Sequence, residues 1–141
     1  MKRGFRKGFT LIELLIVLAV IAALLAVVTP IALNAVRRAN LTEIASNLRN
    51  IKTAAETYIT MANPSADDGA LLDTLETNGY LTTSPGDDYS AELTYNDGDI
   101  TVTIEYSGGD ASVEDLQEIY SEVTNVGEED NPGVEFTIKS W

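Results

Sequence analysis

Neither cysteine nor histidine occurs among the 141 residues of this sequence. The first absence excludes a disulfide framework. Together they exclude zinc sites of the Cys/His kind and any Ser-His or Cys-His nucleophile pair. Basic residues are nearly absent from the C-terminal part, where residues 63–141 carry nineteen acids against one base, Lys139. Such a surface repels phosphate backbones, so no nucleic acid is expected on it. It reads first as a solvated acidic face, second as a place for divalent cations. No phosphate loop, cofactor motif or nucleophile–base pair appears either, and no catalytic role is expected.

The N-terminus has the opposite bias. Residues 1–8 hold Lys2, Arg3, Arg6 and Lys7 and no acid, which leaves the whole chain at a net charge of −13. From Phe9 to Thr29 there are 21 residues, and Glu13 is the only charged one. A helix of that length spans roughly 30 Å, the thickness of a bilayer's hydrocarbon core. The basic cluster before it belongs on the cytoplasmic side, so the C-terminal part lies outside.

Glu13 decides between readings of this segment. The apolar core of a cleaved secretory signal carries no charge, and "TPIALNAVRRA" puts Leu33 and Val36 where a signal peptidase needs small residues. A plain membrane anchor leaves Glu13 without a purpose, although an intramembrane carboxylate costs about 2.5–3.5 kcal/mol. A cut between Gly8 and Phe9 supplies the missing partner. It removes all four leading bases and exposes a new α-amine four residues before Glu13. That amine can meet Glu13 within one helix or on a neighbouring helix.

"KGFTLIELLIVLAVIA" resembles the class III leader and N-terminal helix of type IV pilins and type II secretion pseudopilins. The resemblance covers roughly residues 2–30, with Pro30 where pilins usually carry a proline. It implies that a prepilin peptidase cuts after Gly8 and N-methylates Phe9. It implies that Glu13 sets register by pairing with an adjacent subunit's Phe9 amine. It further implies an inner-membrane precursor, an assembly machinery, and a helical filament of identical subunits at the cell surface. The alternatives are a pseudopilin of a secretion or DNA-uptake system, and a membrane-anchored extracellular binding module.

Beyond Pro30 the pattern changes. Leu41, Ile44, Leu48, Ile51, Ala55 and Tyr58 recur at helical spacing, so residues 31–62 are expected to form the amphipathic second half of a long helix. Three heptads with Ala and Tyr in the seam fit a face laid on a head better than a coiled coil. Pro30 is expected to kink the helix by removing a hydrogen bond and crowding the carbonyl of Ala26. Ala22 and Ala23 stand where pilins often have glycine, and they argue against extensive unwinding. Arg37, Arg38, Arg49 and Lys52 read either as solvated helix charges or as bridges to the acidic heads of neighbours. "NLT" at 40–42 matches a glycosylation sequon and, on a helix, is read as chance.

The head, residues 63–141, is expected to be α+β. Leu71, Leu72 and Leu75 mark a short helix stopped by Gly79. Asp97-Gly98 reads as a two-residue hairpin turn in which partners sum to 195, for example Leu93 with Val102. Ser112 reads as the cap of a helix bearing Val113, Leu116, Ile119, Tyr120 and Val123 and ending at Gly127. Val134, Phe136 and Ile138 alternate as a last strand. The expected fold class is therefore pilin-like α+β: a long kinked N-terminal helix on a small antiparallel sheet of three or four strands, with short extra helices. The division is leader 1–8, membrane and polymerisation helix 9–30, amphipathic half 31–62, and acidic head 63–141. By resemblance to pseudopilins that bind calcium in a late loop, Glu128, Glu129 and Asp130 form a candidate calcium site, with a mobile solvated loop as its alternative.

Overall fold

The computed structural model describes residues 8–127 and 131–139. Contacts divide the chain into two units, residues 1–38 and 39–141, and each is described by itself. Helix α1, Leu11–Ala62, contributes to both.

In the first unit α1 has nothing to bury. Its large apolar side chains, from Leu11 at 79% to Ile21 at 46%, all stand exposed. By length and composition the helix can cross a membrane. Helical structure continues on both sides of Pro30, and beside it the Thr29 hydroxyl donates to the Leu25 carbonyl at 2.7 Å.

The second unit is built on the rest of α1. Leu41, Ile44, Ala45, Leu48, Ile51, Ala54, Ala55 and Ile59 are buried. The expected stripe holds as far as Ala55, but its end shifts by one residue. Ile59 is fully buried, whereas Tyr58 is only partly covered and stacks edge-on against Tyr80, with ring centres 5.5 Å apart. The cause is geometric. Ile59 lies 18 residues after Leu41, five full turns at 3.6 residues each, while a strict 3-4-3-4-3 spacing drifts off the face.

Against this stripe lies a four-stranded antiparallel sheet in the order β1-β2-β4-β3. The strands are β1 Tyr89–Asn96, β2 Asp99–Tyr106, β3 Thr124–Val126 and β4 Asn131–Lys139. The β1–β2 register is the expected one at every pair from Tyr89 with Tyr106 to Tyr95 with Ile100. Asp97 and Gly98 both have positive φ, 49° and 91°, as a type I′ turn requires. β4 then pairs Val134, Phe136 and Ile138 with Ile104, Val102 and Ile100, extending the apolar face.

The two short helices differ from expectation to different degrees. Helix α2, Leu71–Thr77, buries Leu71 and Leu75, with Leu72 at its margin. It ends in a Schellman motif: Gly79 has φ 75°, and the Tyr80 N–H bonds to the Leu75 carbonyl at 2.9 Å. Helix α3 spans only Val113–Gln117, not the stretch to Gly127. Ser112 caps it as expected, accepting from the Asp115 N–H at 3.3 Å. The chain then leaves the helix because Thr124–Val126 finds a better partner in β4, and Gln117 Nε2 ties the exit by donating to the Val123 carbonyl at 2.7 Å. β-branched Val123, Thr124 and Val126 suit that extended path.

The edge of β1 is covered by a segment with no strand signal. Asp68 and Leu93 exchange two backbone hydrogen bonds of 2.8 Å, and the Tyr95 N–H reaches Asp67 Oδ1 at 2.6 Å. Asp68 also accepts from the Ala70 N–H and the Thr74 hydroxyl, joining this segment to α2. The Leu93 N–H and carbonyl and the Tyr95 N–H of this edge are thereby satisfied.

Candidate assembly and processing site

The start of α1 explains how a charge is accommodated in an apolar helix. Thr10 is its N-cap. The Glu13 N–H bonds to Thr10 Oγ1 at 3.3 Å, the Thr10 N–H bonds to Glu13 Oε2 at 2.8 Å, and the Leu14 N–H bonds to the Thr10 carbonyl at 3.3 Å. This is a reciprocal capping box, in which two orphan donors of the first turn are satisfied by two side chains. The carboxylate also sits at the positive end of the helix dipole. Glu13 therefore has an intramolecular partner in the isolated chain. Thr10 was not expected in this role, although its signal, Thr-x-x-Glu ahead of an apolar run, stands in the sequence.

Gly8 and Phe9 precede this box as non-helical residues. Phe9 is 91% exposed, and a Cβ added at Gly8 would meet nothing within 4 Å. The Gly8–Phe9 bond therefore lies in exposed, non-helical chain. The residues before Gly8 lie outside the described part. Structure thus brings Gly8, Phe9, Thr10 and Glu13 together at one helix end, followed by an apolar surface with no covering partner in its unit.

The helix bases are not all held for neighbours. Lys52 Nζ lies 2.5 Å from Glu122 Oε2 and 3.9 Å from Glu56 Oε1. Arg49 stacks over the Tyr120 ring at 4.5 Å and donates to the Ile119 carbonyl at 3.1 Å. Both therefore clamp the connection between α3 and β3 onto α1. This clamp, with core packing by Leu116 and Val123, holds a C-terminal segment that has no disulfide. Lys52 and the Tyr120 hydroxyl, 2.6 Å away, hold the Glu122 carboxyl below the usual range.

Glu128, Glu129 and Asp130 lie outside the described residues, and among the described residues no group of three or more acids is placed to hold a metal ion. At the two ends of that loop, Gly127 adopts φ 75° and Asn131 Nδ2 donates to Glu105 Oε1 at 2.6 Å.

Residues 3–29 match a family model described as the prokaryotic N-terminal methylation motif. No curated protein and no solved structure matches the chain. The motif is 27 residues long and coincides with the leader, the capping box and the apolar helix described above. The chain carries a class III leader of the prepilin kind, and its long apolar helix on a small antiparallel sheet is a pilin-like α+β arrangement, as in a type IV pilin or pseudopilin-like subunit.

Proposed function

We propose that the chain is a structural subunit of a type IV pilus-like filament, with no catalytic role. It is made as an inner-membrane precursor, cut after Gly8 by a prepilin peptidase, and N-methylated on Phe9. The assembly machinery then transfers it from lipid into a surface filament. The observation that carries this reading is the apolar helix itself. It exposes hydrophobic side chains on every side from Leu11 to Val36, and the one carboxylate of that stretch, Glu13, stands four residues after Phe9.

Before assembly lipid covers that surface. Afterwards equivalent helices cover it, and small and branched side chains allow close packing between them. Glu13 then has two possible partners, the cap of its own helix and the new amine of an incoming neighbour. Exchange of one for the other fixes the axial step, while Pro30 gives a local bend for packing. Cleavage removes the four leading bases from each subunit, and in the filament the apolar helices lie inside with the acidic heads facing solvent.

Purified envelopes and sheared surface material provide the test. The mature N-terminus is expected at Phe9, carrying one methyl group, and the chain is expected in filaments. A protein that begins at Met1 contradicts the processing. A correctly processed protein found only as short envelope-bound assemblies points to the pseudopilin, and one that remains a membrane monomer points to an anchored binding module.

A further inference from the structure

The head contains a groove of about 510 Å³ between α1 and the segment that follows α2. Asn47, Asn50 and Thr57 line one wall, and Tyr80, Thr82 and Ser84 line the other. Beneath these walls Ile51 and Ala54 belong to the head core and are buried, so the surface open to a ligand is mostly polar. The size falls in the range of small-ligand sites.

The lining differs in character from the rest of the head. In a chain with 22 acids, Glu43 is the one charged side chain among the described residues that line this groove. Among those described residues no cation lines it to pair with a phosphate or carboxylate, and one carboxylate is too few for a calcium site. The remaining polar groups are amides and hydroxyls. Those of Asn50, Thr82 and Ser84 make no hydrogen bond to the protein among the described residues. Thr57 donates to the Thr53 carbonyl at 2.8 Å and keeps its oxygen as an acceptor. Tyr80 is oriented by its edge-on contact with Tyr58, leaving an aromatic surface with a polar tip in the wall.

Uncharged donors and acceptors on both walls, with one aromatic ring oriented by its neighbour, match a ligand with many hydroxyls and apolar C–H faces. We propose that this groove binds a neutral oligosaccharide. The site lies within residues 43–85 of the second unit, so its binding can be read on the unassembled chain.

The test uses the full-length chain in phospholipid nanodiscs, free of alkyl glycoside detergent. Maltohexaose, cellohexaose and chitohexaose are titrated separately, with hexagalacturonate as an anionic control. At least one neutral hexasaccharide is expected to bind. Tyr80→Ala and Asn50→Ala should each weaken it by about tenfold, while Glu114→Gln, exposed on α3 and away from the groove, stays within about twofold. Unchanged thermal unfolding of the variants separates loss of the site from loss of the fold. Binding of none of the three, binding only of the galacturonate, or equal binding by all variants overturns the proposal. If Tyr80→Ala instead lowers filament yield with no sugar bound by the parent, the groove belongs to a second copy of this chain and the proposal is likewise overturned.

Discussion

Lys52 on α1 and Glu122 in the connection between α3 and β3 meet with Nζ 2.5 Å from Oε2, across 70 residues of sequence. Lys52 is the more covered of the two, at 20% side-chain exposure against 51%. The pair is thus a surface clamp, screened by salt. Its carboxyl titrates below the usual range in the folded state. The stabilisation is therefore present above the unfolded carboxylate value and is lost as pH falls through the lowered folded value. Glu122→Gln should lower the melting temperature slightly at neutral pH. The difference should shrink in acid and in high salt, as followed by circular dichroism across a pH and NaCl series.

Arg49 in the same clamp works through a ring. Its guanidinium lies 4.5 Å from the centre of the Tyr120 ring, and such a contact contributes about 0.5–1 kcal/mol at an exposed site. Arg49→Lys keeps the charge but loses the planar stacking and the fork that reaches the Ile119 carbonyl. It should destabilise the head nearly as much as Arg49→Ala. Urea unfolding of the two variants checks this, and full stability of the lysine variant would reduce the contact to a simple charge effect.

Gly133 is required by close approach rather than by φ. A Cβ there would stand 2.1 Å from the Ile104 carbonyl oxygen and 2.2 Å from Val126 Cγ2, where β4 is pinched between β2 and β3. One contact is backbone and cannot rotate away. Gly133→Ala should cost about 3 kcal/mol by forcing the strands apart. Gly69→Ala, with nothing within 4 Å of the added carbon, is the near-neutral control. Hydrogen exchange at Val126 and Val134 locates the damage.

Alkali should open the head through its tyrosines. Burial raises Tyr106 and Tyr120 above the ordinary 10.0, and hydrogen bonds to Asp110 and Glu122 raise them further. Burial likewise raises Tyr89, against the lowering effect of the Asn47 amide. A raised folded value means stability is fully present below the unfolded value of 10.0 and falls as pH rises toward the folded values. Melting temperature is expected to be flat from neutrality to about pH 9 and to drop beyond pH 10. Tyr106→Phe should flatten part of that drop, as read by ultraviolet titration.

How much of this was legible in the sequence depended on how local the signal was. Asp97-Gly98 fixes a turn whose flanking residues sort onto two faces in only one register, so β1 and β2 were readable to the residue. Thr10 and Glu13 are three apart and equally local, but the expected pairing of Glu13 with the Phe9 amine, in its own helix or a neighbour's, leaves the Thr-x-x-Glu pattern unused. Residues 118–127 misled because Ile119, Tyr120 and Val123 suit a helical face and also a turn into an edge strand. Only the partner, β4, decides between them. Asp67 and Asp68 carry no strand pattern, and their pairing with β1 follows from the tertiary position of α2.

The capping box separates two roles of Glu13 that a deletion confuses. Glu13→Ala removes both the negative charge and the acceptor for the Thr10 N–H, so failure to assemble after that change could come from a frayed helix start. Glu13→Gln keeps the acceptor and the box while removing the charge. If an amine on the neighbouring subunit is the partner during polymerisation, both variants should insert and be cut at Gly8, and both should yield few filaments. If the carboxylate serves only its own helix, the glutamine variant should assemble at close to the parental yield and the alanine variant should not. Filament mass in sheared fractions, measured beside the N-terminal mass of the membrane pool, distinguishes these outcomes. A fully assembling Glu13→Gln chain would remove the electrostatic pairing from the mechanism while leaving the leader and its processing intact.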